Sequence, residues 1–154
     1  MSRDYEITKL RIKKHEGYEE QPYYLSYTTA DGKEISEDFQ TGGYGHKFKE
    51  GEQFPVRADG TTVDWDAVFE NDFKIAQDGA RSLVGEKTIN PQAFGLVTEM
   101  VYQMGTTGVS NFKNTLAAIQ SGDYKLAAVE MLDSKWAKQT PNRAAEMALV
   151  MSSL

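Results

Sequence analysis

The chain has 154 residues, no cysteine, 40% hydrophobic and 11% aromatic residues, and a formal net charge of −6 at pH 7. Such a length makes one domain that buries roughly two-thirds of its unfolded surface, and such a composition excludes global disorder. The lack of cysteine excludes disulfides, thiol catalysis and zinc–thiolate sites, while the acidic balance argues against nucleic-acid binding, which wants a basic face.

The charged start, Arg3-Asp4-Tyr5-Glu6, lacks the apolar core of a secretory signal. No apolar run approaches the ~18 residues of a membrane span. The expectation is a chain made soluble in a cytoplasm, whose export needs outside help. Residues 4–16 read as an amphipathic helix, with Ile7 and Leu10 three apart and Glu16-Gly17 as its stop. Residues 22–46 switch to β character, two runs about a turn at Asp31-Gly32, which predicts a hairpin. The return strand ends in Thr41-Gly42-Gly43-Tyr44-Gly45-His46. Glycines so spaced let a backbone lie close to a ligand, with Thr41 and His46 as the polar groups left standing. Residues 47–61 are polar and loop-like, with Pro55 and two glycines.

From Thr62 onward the pattern is helical. Trp65, Phe69, Phe73, Ala76 and Leu83 mark one face of a long helix. Asn90-Pro91 is a cap followed by proline at the first helical position, opening a helix through about Met104. Further helices fit 112–120, 123–133 and 141–151, the last announced by Thr140-Pro141 in the same arrangement. The predicted architecture is a single α+β domain. A small helix-plus-hairpin lobe, about 1–61, is joined by the long helix to a helical lobe, about 62–154, with a cleft between them as the natural site.

Four ordered blocks carry a family resemblance. They are Glu16-Gly17; Thr41-x-Gly43-x-Gly45-His46; Tyr102 to Val109 followed by Phe112, Asn114, Thr115 and Leu116; and Ser134 to Arg143. The chain closely resembles the phage-type lysozymes of T-even bacteriophages, in both lobes and in the same order. The resemblance implies a lysozyme-like fold and a muramidase that hydrolyses the β-1,4 bond between N-acetylmuramic acid and N-acetylglucosamine in peptidoglycan. In family terms Glu16 is the general acid, which must stay protonated near neutral pH through partial burial. A helix-end glutamate above a glycine-rich strand suits that chemistry: a proton donor over a floor for the sugar chain.

Arg143 resembles the family arginine that orients the acid. His46 is similar to the histidine that pairs with an aspartate on the long helix, here Asp72. That residue sits between Phe69 and Phe73, where an unpaired carboxylate would be costly, so the pair is expected to be structural. Gly45, Tyr102, Gln103, Thr115 and Trp136 fall on positions expected to meet substrate. Glu130 and Lys47 stand where the family has an asparagine and an apolar contact, which puts those two sugar contacts in question.

The main departure concerns the second carboxylate. The family places an aspartate nine residues after the glutamate and the threonine six further on. Here Leu25 stands at the first place, and Thr41 comes 25 residues after Glu16, so the hairpin is ten residues longer (25 against 15). If Asp31 and Gly32 are the two central turn residues, Leu25 faces Asp38. If a longer turn pairs Tyr23 with Thr41, Glu37 shares the face of Leu25 and Thr41. With Glu37 or Asp38 and Thr41 holding water, inverting hydrolysis is expected. With neither acid, Glu16 alone supports lytic transglycosylation, and without catalysis the fold would be a wall-binding or virion part. No metal or organic cofactor is implied. The expected partner is peptidoglycan, with no nucleic acid and no membrane insertion, for a monomeric endolysin held in the host cytoplasm until a holin-like protein releases it.

Overall fold

The computed structural model describes residues 3–52 and 63–154, the side chains of Tyr27 and Asp38 excepted. The loop expected over 47–61 lies outside these residues from position 53 on, as does Thr62. Among the described residues the fold is α+β. Helix α1 (Arg3–Glu16) precedes an antiparallel sheet of β1 (Glu19–Thr28), β2 (Glu34–Gly43) and β3 (His46–Lys47), in the order β1-β2-β3. Helices α2 (Trp65–Leu83), α3 (Pro91–Ser110), α4 (Lys113–Gln120), α5 (Tyr124–Leu132), α6 (Lys135–Gln139) and α7 (Pro141–Ser152) follow. The chain divides into two compact units, one of Lys13–Asp72 and one joining Met1–Ile12 to Phe73–Leu154.

In the larger unit α3 is the spine of the core, with every residue from Ala93 to Val101 buried. Asn90 Oδ1 accepts the Gln92 N–H at 2.8 Å, and Pro91 occupies a position with no helical N–H to lose. Gly105, at φ 80° and ψ 163°, interrupts the helix next to the stop expected at Met104, and a second helical stretch runs on to Ser110. Met131, Met147 and Met151 fill the core beside it from α5 and α7.

Helix α1 buries a different face from the one expected. Ile7 and Leu10 are exposed, whereas Thr8, Lys9 and Ile12 are buried. Helix α1 approaches α3 closely there: a Cβ on Gly95 would stand 2.2 Å from Thr8 Oγ1, so glycine at position 95 makes the room that Thr8 occupies. The Thr8 hydroxyl is satisfied by Asp4 O at 2.9 Å, and the Lys9 stem runs past Phe73 with its ammonium 5.2 Å from the ring centre.

Helix α6 was not anticipated. Ser134 starts it by accepting the Ala137 N–H at 3.1 Å. Thr140 does not cap α7 through its side chain; its hydroxyl donates to Trp136 O at 2.9 Å and closes α6 instead.

In the smaller unit the hairpin turn is longer than a two-residue one. Thr28 pairs with Glu34, Gly32 N donates to Thr29 O at 2.9 Å, and Gly32 takes φ 85°. Ala30 and Asp31 are therefore central, and Gly32 is the left-handed third residue of the loop. A two-residue turn with Asp31 and Gly32 central therefore does not form; the register of the turn and the Tyr23–Thr41 pairing are separated by a shift between Tyr24 and Ser26, where Asp38 is one of three residues opposite Leu25. Two irregularities break the ladder. Glu20, Gln21 and Pro22 face Gly42 alone, a place where proline is tolerated. Further up, Glu37, Asp38 and Phe39 on β2 face Leu25 alone on β1.

Candidate functional site

In the smaller unit Glu16 is the last residue of α1. Gly17 follows at φ 71°, its N–H bound to Lys13 O at 3.0 Å. The Glu16 carboxylate lies against the backbone of Gly45, where a Cβ would stand 2.7 Å from Oε2. The other two glycines of the run are bare for a different reason than expected. Cβ atoms at Gly42 and Gly43 would stand 2.5 and 2.4 Å from the Trp65 ring, so the strand is flush with an indole rather than open to a ligand. Trp65 is held by its Nε1–H, which donates to Glu20 O at 2.9 Å.

Thr41 is 3% exposed, and its Oγ1 has no hydrogen-bond partner among the described residues. Its neighbour across the ladder is Lys47 on β3, so the two side chains share a face of the sheet. Lys47 Nζ reaches Glu37 Oε1 at 3.5 Å, which brings the Glu37 carboxylate to the same side. Glu37 belongs to the three-residue bulge opposite Leu25, the position at which the family pattern calls for an aspartate. The Asp38 side chain lies outside the described part of the structure.

His46 and Asp72 meet, Nδ1 to Oδ2, at 2.5 Å, and the other ring nitrogen lies 2.6 Å from Glu52 Oε2. Burial alone would lower the pKa of His46. The hydrogen bond and charge of Asp72, followed by those of Glu52, outweigh it and hold the ring above its ordinary value. Burial likewise pushes Glu52 up, but the Lys49 N–H and His46 prevail and hold its carboxyl below the usual range. Glu52 was not anticipated from sequence.

In the larger unit Trp136 Nε1 donates to Gln103 Oε1 at 2.9 Å, and its ring meets Phe112 edge-on. A groove of about 710 Å³ opens beside them, lined by Thr115 and Trp136 and rimmed by Lys113, Glu130, Asp133 and Lys135. Tyr102 packs against the apolar core rather than lining this groove. Arg143 is held by its Nε, which donates to Glu99 Oε2 at 3.0 Å, while Arg11 Nε donates to Glu99 Oε1 at 2.6 Å. Glu99 is fully buried. It stands as a lone acid in the apolar run of α3, the same signal that marked Asp72, and could have been found by it. Among the described residues no three acidic or histidine side chains are grouped to hold a metal ion, and no helix is long and apolar enough to cross a membrane.

No family model matches the chain. It is 32% identical over 114 residues to a protein of Dictyostelium discoideum named probable T4-type lysozyme 1; the match covers 71% of the chain and 65% of that relative, a little under two-thirds of its length. It is 42% identical over 48 residues to probable T4-type lysozyme 2 of the same organism, over 31% of the chain and 28% of that relative. With these matches and the α+β fold described above, the chain is similar to the T4-type lysozymes.

Proposed function

We propose that the protein is a muramidase, a glycoside hydrolase that breaks the β-1,4 bond between N-acetylmuramic acid and N-acetylglucosamine in bacterial peptidoglycan. The observation that carries this is the Glu16 carboxylate at the end of α1, set against the bare backbone of Gly45, in a chain similar to T4-type lysozymes. Thr41 Oγ1, buried and without a hydrogen-bond partner among the described residues, is a polar atom that calls for one. In the reaction Glu16 gives its proton to the leaving oxygen as the C1–O bond breaks. Water, held by Glu37 and Thr41, attacks C1 from the far face and passes its proton to Glu37. Such inversion requires carboxyls roughly 6.5–9.5 Å apart.

Mass analysis of products from purified Gram-negative peptidoglycan tests this with the intact protein, Glu16→Gln, Glu37→Gln and Asp38→Asn. Reducing muramic ends, lost with Glu16 and with Glu37, are expected. Loss with Asp38 in place of Glu37 would move the water-holding role one residue along. Anhydromuramic ends that need Glu16 alone would mean transglycosylation, and binding to sacculi without soluble products would leave a non-catalytic wall-binding role.

The finer biological role, lysis of a bacterial host for phage release, rests on the four ordered blocks similar to T-even phage lysozymes. It predicts that bacteria producing the protein in their cytoplasm stay intact until the inner membrane is permeabilised, then clear. Intact cells after permeabilisation would oppose it.

A further inference from the structure

We propose that Lys47 is a positioning residue for Glu37, fixing the carboxylate that holds the attacking water; this rests on the muramidase reading above. Three observations combine. Glu37 lies in a bulge, where the ladder is broken and the backbone no longer aims its side chain through regular pairing. Across the strands its charge meets Leu25 of β1, which cannot anchor it, and the Lys47 ammonium of β3, which stands 3.5 Å from Oε1. Lys47 is itself registered on Thr41, the other group assigned to the water.

The pair is too exposed to add much stability, at 66% for Lys47 and 34% for Glu37, so its use is orientation. Its support is firm on the lysine side. Lys47 follows His46, whose ring is held between Asp72 and Glu52, so the backbone of β3 is anchored at its root. In the structure the Glu37 carboxylate is thereby turned toward Lys47, whose backbone is paired with Thr41. Proper alignment of a reacting water is worth orders of magnitude in rate, and a displacement of about 1 Å is enough to lose it.

The test is steady-state kinetics on soluble peptidoglycan fragments with Lys47→Met, Lys47→Arg, Glu37→Gln and the double variant Lys47→Met/Glu37→Gln, each checked for an unchanged melting transition. Lys47→Met is expected to lower kcat about 10-fold with KM unchanged, and Lys47→Arg to restore it. The residual turnover of Glu37→Gln should not be lowered further by Lys47→Met. A raised KM with kcat kept, or a loss that multiplies with that of Glu37→Gln, would mean that Lys47 acts on substrate directly, and the inference falls while Glu37 keeps its role. Full activity of Glu37→Gln beside a dead Glu16→Gln removes the role of Glu37 and this inference with it.

Discussion

Gly45 combines φ 80°, which disfavours a side chain, with a carboxylate 2.7 Å from where its Cβ would be, so Glu16 would have to give way to one. Alanine at this position costs about 1–3 kcal/mol in backbone strain and must push Glu16 aside. The expected outcome for Gly45→Ala is a modest drop in melting temperature with a loss of roughly 10²-fold in turnover. Activity that follows only the melting temperature would mean that Glu16 does not need its place against this backbone.

His46 carries a pH signature of its own. Its pKa is raised above the ordinary 6.5, so its contribution to stability is complete below that value and is lost as pH rises through the raised one. Glu52 has the opposite sign: its pKa is below the ordinary 4.5, and its contribution is present above that value and lost as pH falls through the depressed one. Their joint window of greatest stability is therefore about pH 4.5 to 6.5. His46→Asn is expected to cost about 2 kcal/mol at pH 6 and much less at pH 9, measured by urea unfolding. An equal loss at both values would argue against a charged ring.

At the scale of elements, the buried triad of Arg11, Glu99 and Arg143 ties together α1, α3 and α7. Removing one partner of such a group leaves buried charge uncompensated. Replacing the whole group by apolar side chains relieves the desolvation of all three. Glu99→Gln is expected to destabilise by about 3–5 kcal/mol, and Arg11→Met/Glu99→Met/Arg143→Met to unfold no more easily than the parent. Denaturant midpoints check both, and a triple variant weaker than Glu99→Gln would show that the triad is a net source of stability.

The elements also differ in how far they could be read. The start of α3 follows from Asn90-Pro91 alone, because a cap is a matter of adjacent residues. The face of α1 did not follow from Ile7 and Leu10, because the room in which Thr8 is buried is made by Gly95, more than eighty residues away. The bulge at Glu37 is a further case. Alternation along β2 cannot reveal that three residues will face Leu25, since pairing is settled between strands.

For the whole molecule the net charge of −6 bears on its proposed substrate, an anionic polymer. Like charge slows encounter, and at about 0.15 M salt the repulsion is screened beyond roughly 8 Å. The rate of peptidoglycan clearing is expected to rise several-fold between about 10 mM and 150 mM salt before it levels off. A rate that falls steadily with salt would instead indicate a locally basic contact surface.

What the sequence by itself determined is of two kinds: the class of each long element, and the relationship carried by four ordered blocks. The Asn90-Pro91 cap, the presence of the hairpin and the Glu16-Gly17 stop are written in neighbouring residues, since local geometry depends on local chemistry. The lone Asp72 in an apolar face announced a partner by the same logic. Only the tertiary structure decided what each of these residues meets. It brought Glu52 to the far side of His46, Glu99 between two arginines, Trp65 against Gly42 and Gly43, and Lys47 to Glu37. These meetings join residues separated by up to 88 positions along the chain, and close packing in three dimensions, rather than local preference, selects them.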